Sequence, residues 1–181
     1  MMPGVFAGGS GGGTPPPSGT WVPFTIQNVT AESGIPDDST IRQVVPSGSL
    51  TPCTKVRVTV RSSPGNAMVV GAITVGQQAA SGNFYDFATT PETGAFSGSA
   101  GVTIPANDER VTDAIDLVVG SGDVLVVAIY MVSGRTFYGN AANGAFLGSG
   151  GNDVATVDAS GYSEFASNGF AVIKIECFVP D

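Results

Sequence analysis

The 181-residue chain contains no histidine, which removes Ser-His and Cys-His nucleophile pairs, imidazole metal ligation and histidine pH switching from its chemistry. Charge is scarce as well. Only 12% of residues are Asp, Glu, Lys or Arg, where an average globular chain carries about 25%. With 7 basic against 15 acidic residues the net charge is −8, so a phosphate backbone is repelled and no counterion release drives binding. Nucleic acid is not an expected partner. The longest apolar run, residues 124–132, spans nine positions, and a membrane-crossing helix needs about 20. No membrane insertion is expected, and the run reads as a buried strand. Two cysteines, Cys53 and Cys177, are too few for a disulfide framework and too far apart in sequence for a metal knuckle. The first residues lack the basic and apolar segments of a secretory signal, so synthesis in a bacterial cytoplasm is expected.

What the chain does have is apolar content without helical content. Hydrophobic residues make up 42% and the mean hydropathy is +0.23, enough apolar surface to offset the entropy of ordering. Gly (26) and Pro (12) fill about a fifth of the positions, and no long stretch repeats every 3.6 residues. Short β-branched or alternating runs are instead punctuated by Gly, Pro, Asn, Asp and Ser. Strands are expected at residues 21–29, with Pro23 demoting that one to an edge, and at 39–45. A strand at 55–61 places Val56, Val58 and Val60 on one face and Arg57, Thr59 and Arg61 on the other. Another at 68–75 follows Ser63-Pro-Gly-Asn66, a turn suited to a hairpin. Further strands are expected at 102–104, within 109–119, and at 124–132, the last apolar on both faces and therefore central. Residues 135–138 read as pairing back on that strand. A closing strand at 171–178 points Ala171, Ile173, Ile175 and Cys177 one way and Val172, Lys174, Glu176 and Phe178 the other.

If first and last sheet strands neighbour each other, Lys174 and Glu176 face Arg57 and Thr59, and a Glu176–Arg57 pair contributes a few tenths of a kcal/mol. The same antiparallel pairing brings Cys53 and Cys177 to one end of a sheet, as a disulfide or as two free thiols. Eight to ten strands with long loops predict an all-β fold, a jelly-roll-type β-sandwich. The long polar segments 76–101 and 139–168 are where function is sought.

Residues 1–20 hold seven Gly and four Pro, and no charged side chain precedes Glu32. This composition makes a flexible Gly/Pro-rich N-terminal arm with a polyproline end, leaving 21–181 as the β-sandwich domain. Val5 and Phe6 form an apolar pair near its tip suited to docking in a partner's pocket. Trp21, at the junction, suits an anchor.

Two groups of side chains carry candidate chemistry. Tyr85, Tyr138 and Tyr162 lie in Gly/Asn/Ser-rich surroundings, where a sugar ring stacks on an aromatic face while Asn140, Asn143 and similar amides satisfy its hydroxyls. Carboxylates cluster at Asp37-Asp38, around Asp108-Glu109, and at Asp153 with Asp158. Such groups act as turn acids, as acid/base pairs on a glycosidic bond, or as Ca²⁺ ligands, for which Asp153 and Asp158 in a Gly-rich loop are the weak candidates. No catalytic residue and no cofactor is assigned.

The stretch Asp116-Leu-Val-Val-Gly-Ser-Gly-Asp-Val-Leu-Val-Val-Ala-Ile-Tyr-Met131, with Gly148-Ser-Gly-Gly-Asn-Asp153, resembles the carbohydrate-binding-module-like β-sandwich found beside SGNH-type esterases. The resemblance covers roughly residues 110–178, specific only in its Gly-Asp turn and following strand. It implies a fold and a glycan-binding role. The esterase's Gly-Asp-Ser nucleophile block is absent. A Gly/Pro-rich uncharged arm on a compact acidic β-domain also looks like a tailed-bacteriophage virion protein, a head decoration, fibre or tail appendage. That resemblance implies a non-enzymatic structural role at the virion surface, with other virion proteins, further copies of itself and host surface polysaccharide as partners. The alternatives are a free-standing carbohydrate-binding module and a carboxylate-based glycan hydrolase.

Overall fold

A computed structural model describes residues 18–26, 32–34, 37–45, 50–133, 136–138, 145–164 and 171–181. Fourteen strands and no helix occur among them. The first sheet is built from β1 (Gly19–Thr25), β14 (Val172–Pro180) and β4 (Cys53–Arg61) in that order. Along the far side of β4 run both β8 (Glu109–Val111) and β9 (Ile115–Val119). The second has β13 (Ser163–Glu164), β12 (Ala145–Ser149), β3 (Ser39–Val45), β10 (Leu125–Ser133) and β5 (Met68–Gln77). Its far edge carries β6 (Glu92–Gly94) and β7 (Val102–Ile104), both on β5. A two-stranded ribbon joins β2 (Glu32–Gly34) to β11 (Thr136–Tyr138).

All these pairings are antiparallel and the two sheets pack face to face. The sandwich is a jelly roll. Outermost partners β1 and β14 enclose β3 with β10, which enclose β4 with β8 and β9, which enclose β5 with β6 and β7. This nesting places alternate pairs in opposite sheets, as two Greek keys do.

The core between the sheets follows from period-two alternation. Val56, Val58 and Val60 on β4 are fully buried, facing Ile41 and Val45 on β3 and Leu125, Val127 and Ile129 on β10. β10 is central, lying between β3 and β5. Its second face is also apolar because Val126 and Ala128 lie beneath a further layer with Phe87 and Val154. Glu176 stands directly opposite Arg57, and Lys174 opposite Thr59. The Arg57–Glu176 pair closes at 3.4 Å.

The structure departs from the sequence reading at five places. After Ser63-Pro-Gly-Asn66 the chain does not form a hairpin, because β4 and β5 belong to different sheets. Residues 136–138 pair with β2 and not with β10. A register shift between Val172 and Lys174 reverses the expected alternation, so Val172 is buried in the core where Ile173 was expected. The two long polar segments are not plain loops, since they carry β6, β12 and β13. β1 begins at Gly19, so strand replaces tether two residues before position 21. Val5 and Phe6 lie outside the described residues.

The register shift is covered from the facing sheet. Gln43, 2% exposed, donates its side-chain amide to the Val172 carbonyl at 3.0 Å and accepts the Val172 amide at 3.2 Å. A strand irregularity leaves backbone groups without ladder partners, and here one side chain from β3 satisfies both.

Both ends of the described chain meet at one end of the sandwich, where the Asp181 amide donates to the Ser18 carbonyl at 3.3 Å. The β9–β10 turn is at this end. Gly122 has φ +85°, a conformation that glycine adopts without strain, and Asp123 accepts from the Gly120 amide at 2.7 Å and from Gln77 at 2.8 Å. The segments carrying β2 and β11 leave from the opposite end, after β1 and β10 have crossed the sandwich.

Candidate functional site

The outer face of the second sheet is not open. Two segments fold over it, residues 78–88 after β5 and residues 150–162 after β12, and the group that joins them is Arg42. Its side chain, at the middle of β3, is wholly buried. Its guanidinium donates to the Tyr85 carbonyl at 2.9 Å, to the Val157 carbonyl at 3.3 Å and to the Thr156 carbonyl. Asp86, 5% exposed, lies 3.9 Å away. The guanidinium also lies 4.6 Å from the Phe87 ring centroid and 5.2 Å from that of Tyr162. Burial pulls the Arg42 pKa below its ordinary value, opposed by Tyr162 and then by Asp86.

Asp86 knits the same two segments from the other side. One carboxylate oxygen accepts the Asn83 amide and the other the Ala159 amide, each at 3.0 Å. A buried ion pair is retained at a desolvation cost, which surrounding hydrogen bonds must offset. Here three carbonyls and two amides supply them.

Tyr85 and Tyr162 are brought together above Arg42. Their rings stack with centroids 5.6 Å apart and 28° between planes. Tyr85 is only 7% exposed, so its face is spent on Tyr162 and not offered as a sugar platform. Tyr162 is half-buried, and burial pushes its phenol pKa up. Its ring rests on Gly148 of β12, where an added Cβ would come within 2.4 Å of the ring. Gly148→Ala is therefore expected to displace Tyr162 and to cost about 1–3 kcal/mol through overpacking. Chemical denaturation and near-ultraviolet circular dichroism check it; an unchanged tyrosine signal would show that the ring does not need that space. The exposed ring of this region is Phe84, at 56%.

The other sequence candidates are dispersed. Tyr138 occupies β11 opposite Glu32; its side chain, with Asn140 and Asn143, lies outside the described residues. Trp21 is half-buried on the outer face of the first sheet. It packs on Phe178 at 5.2 Å and lies beneath Arg57, whose guanidinium is 3.9 Å from its centroid.

Several of the carboxylates have local partners. Asp113 accepts the Ser97 and Gly98 amides, and Asp38 accepts the Tyr130 hydroxyl at 2.7 Å, which raises the Tyr130 pKa. Asp116 pairs with Lys55. Asp108 pairs with Arg110 at 2.6 Å, and its pKa is lowered by the Glu109 amide first and by Arg110 second. Asp153 is half-buried beside Thr40, whose hydroxyl accepts its amide at 3.0 Å; Asp158 is exposed. Among the described residues no three acidic or cysteine side chains converge in a way that would hold a metal ion.

Arg42, Asp86 and Gln43 were missed by the sequence reading. The available signal is compositional: one of only 7 cations stands in the middle of the short β-branched run Thr40-Ile-Arg-Gln-Val-Val45. No protein-family model matches this chain, and no curated protein matches its sequence.

Proposed function

We propose that this chain is a non-enzymatic structural protein of a bacteriophage virion, a capsid decoration, fibre or tail appendage held by its N-terminal arm. The observation that carries the reading is polarity. Residues 1–17 precede the end where Ser18 meets Asp181, while β2 and β11, the latter bearing Tyr138, follow β1 and β10 from the other end. One end serves as foot and the other as tip. The buried Arg42 layer suits such a role, because it ties two further segments onto the second sheet.

On this reading the arm docks on another virion protein, neighbouring copies pack together, and the tip meets host surface polysaccharide. The test is co-expression with the products of the flanking reading frames. Full-length protein is expected to sediment with the particles those products form, and a chain lacking residues 1–17 is expected to remain soluble, folded and unattached. If the truncated chain still sediments with particles, the arm is not the anchor; if the full chain never does, the virion role fails.

Glycan contact at the tip is read separately, on an array of bacterial surface polysaccharides. Tyr138→Ala is expected to lower binding at least tenfold, in line with about 1.4 kcal/mol or more for one stacked ring. Binding by the wild type without particle association would favour the free-standing carbohydrate-binding module. No binding by the wild type leaves the tip without a sugar role.

A further inference from the structure

Cys53 and Cys177 are 5% and 1% exposed and belong to the same intersheet core. Cys177 lies in β14 opposite Val56 of β4 on one side and Val22 of β1 on the other. Cys53 opens β4. Counting outward from Val56, alternation would turn Thr54 inward and Cys53 outward. The register shift between Cys53 and Lys55 on the β9 side reverses this, leaving Thr54 exposed and Cys53 buried. The irregularity thus turns both thiols into the intersheet core from two adjacent strands, Cys53 lying three positions from the residue opposite Cys177. Neither is in a disulfide.

We propose that this thiol pair is an oxidation site, closing to a Cys53–Cys177 disulfide that ties β4 to β14 when the protein meets a low-molecular-weight disulfide. Cys53 loses its proton and attacks one sulfur of the oxidant RSSR, expelling RS⁻ and leaving a mixed disulfide. Cys177 then loses its proton and attacks the Cys53 sulfur, expelling the second RS⁻. The two released protons yield two RSH, so the protein pair gives up two electrons and the oxidant takes them.

The order of attack follows from the environment. Burial, and then the neighbouring Cys53, push the Cys177 thiol up to about 12. Burial also raises Cys53, but Cys177 opposes the rise. Cys53 is therefore the easier thiolate to form. Both thiols are buried, so oxidation is slow in the closed fold. The inference does not depend on the virion reading.

The experiment uses the full chain and oxidised glutathione at mildly alkaline pH, a few degrees below the unfolding midpoint. Before treatment, two thiols are expected to titrate, and only after denaturation. Afterwards none titrates, the intact mass has fallen by two hydrogens, and the midpoint has risen by roughly 5–15 °C for a loop of this length. A reductant reverses all three changes. Cys53→Ser is expected to retain one thiol or carry one glutathione. In the wild type, a persistent glutathione adduct, covalent dimers or two unreacted thiols would overturn the proposal, and none of these results bears on particle attachment.

Discussion

Arg42→Ala is expected to lower the unfolding free energy by about 3–5 kcal/mol, the range for breaking a buried ion pair from one side. The loss is several small failures at one place. The Tyr85 and Thr156 carbonyls lose the Arg42 donor and the Val157 carbonyl keeps only the Phe87 amide, Asp86 is left in the interior without its cation, and Phe87 and Tyr162 lose the flat group their rings cover. Each deserted polar group costs about 1–3 kcal/mol where water cannot reach it. Since these add to more than the expected total, partial solvation of the loosened segments must relieve some of them.

The damage should therefore be local before it is global. Hydrogen exchange should accelerate first at the Phe87 amide, bonded to the Val157 carbonyl, and at the Ala159 amide on Asp86. The amides of β4 and β14 should keep their protection. A control separates charge from shape: Arg42→Met with Asp86→Asn removes both charges and keeps most of the volume, and should recover part of the loss. If Arg42→Ala shifts stability by less than about 1 kcal/mol, the value of an exposed pair, the guanidinium does not hold the layer. Equal acceleration throughout the fold would remove the claim that the layer is a separable unit.

Gln43→Leu is the second large effect, expected at about 2–4 kcal/mol. Leucine nearly preserves the volume, so the packing change is small and the measured loss reports the two backbone groups of Val172 deprived of a partner. Denaturant unfolding gives the magnitude, and hydrogen exchange at the Val172 amide gives the location. A loss below about 0.5 kcal/mol would mean that Val172 finds other partners and that the amide is dispensable. A Gln43→Ala loss equal to the leucine one would say that the polar contacts matter and the filled volume does not.

How much of this was legible in the chain depends on how local the cause is. Ser39–Val45 is recognisable as a strand because β-branched residues and a following Pro mark it, and residues 55–61 because Val alternates with polar residues, although Thr59 among them is buried. The two-sided burial of Leu125–Ser133 also follows locally, since no polar alternation offers a solvated face. Other errors share one origin. Ser63-Pro-Gly-Asn66 encodes a bend, but the sheet that the next strand joins depends on partners elsewhere in the chain. The reversed phase at Val172 depends on Gln43, 129 residues away in sequence. Tyr85 and Tyr162 read equally as sugar platforms or as plugs of the core because their neighbours in sequence are polar. Their neighbours in space are each other and Arg42, which pattern reasoning sees only as a charge in an unlikely position.

The nesting of the strands also sets the order in which the protein can be made. β14 follows every other described strand in the chain and yet lies inside its sheet, between β1 and β4. Until it arrives, the growing chain carries two unpaired strand edges, β1 with Trp21, Val22 and Phe24 and β4 with Val56, Val58 and Val60. Such edges invite pairing with other chains, and closing β1 onto β14 joins segments from opposite ends of the chain, a slow step. High-level synthesis should therefore strain this protein more at translation than its finished fold would suggest, and losing even its final strand should yield aggregate in place of a smaller domain.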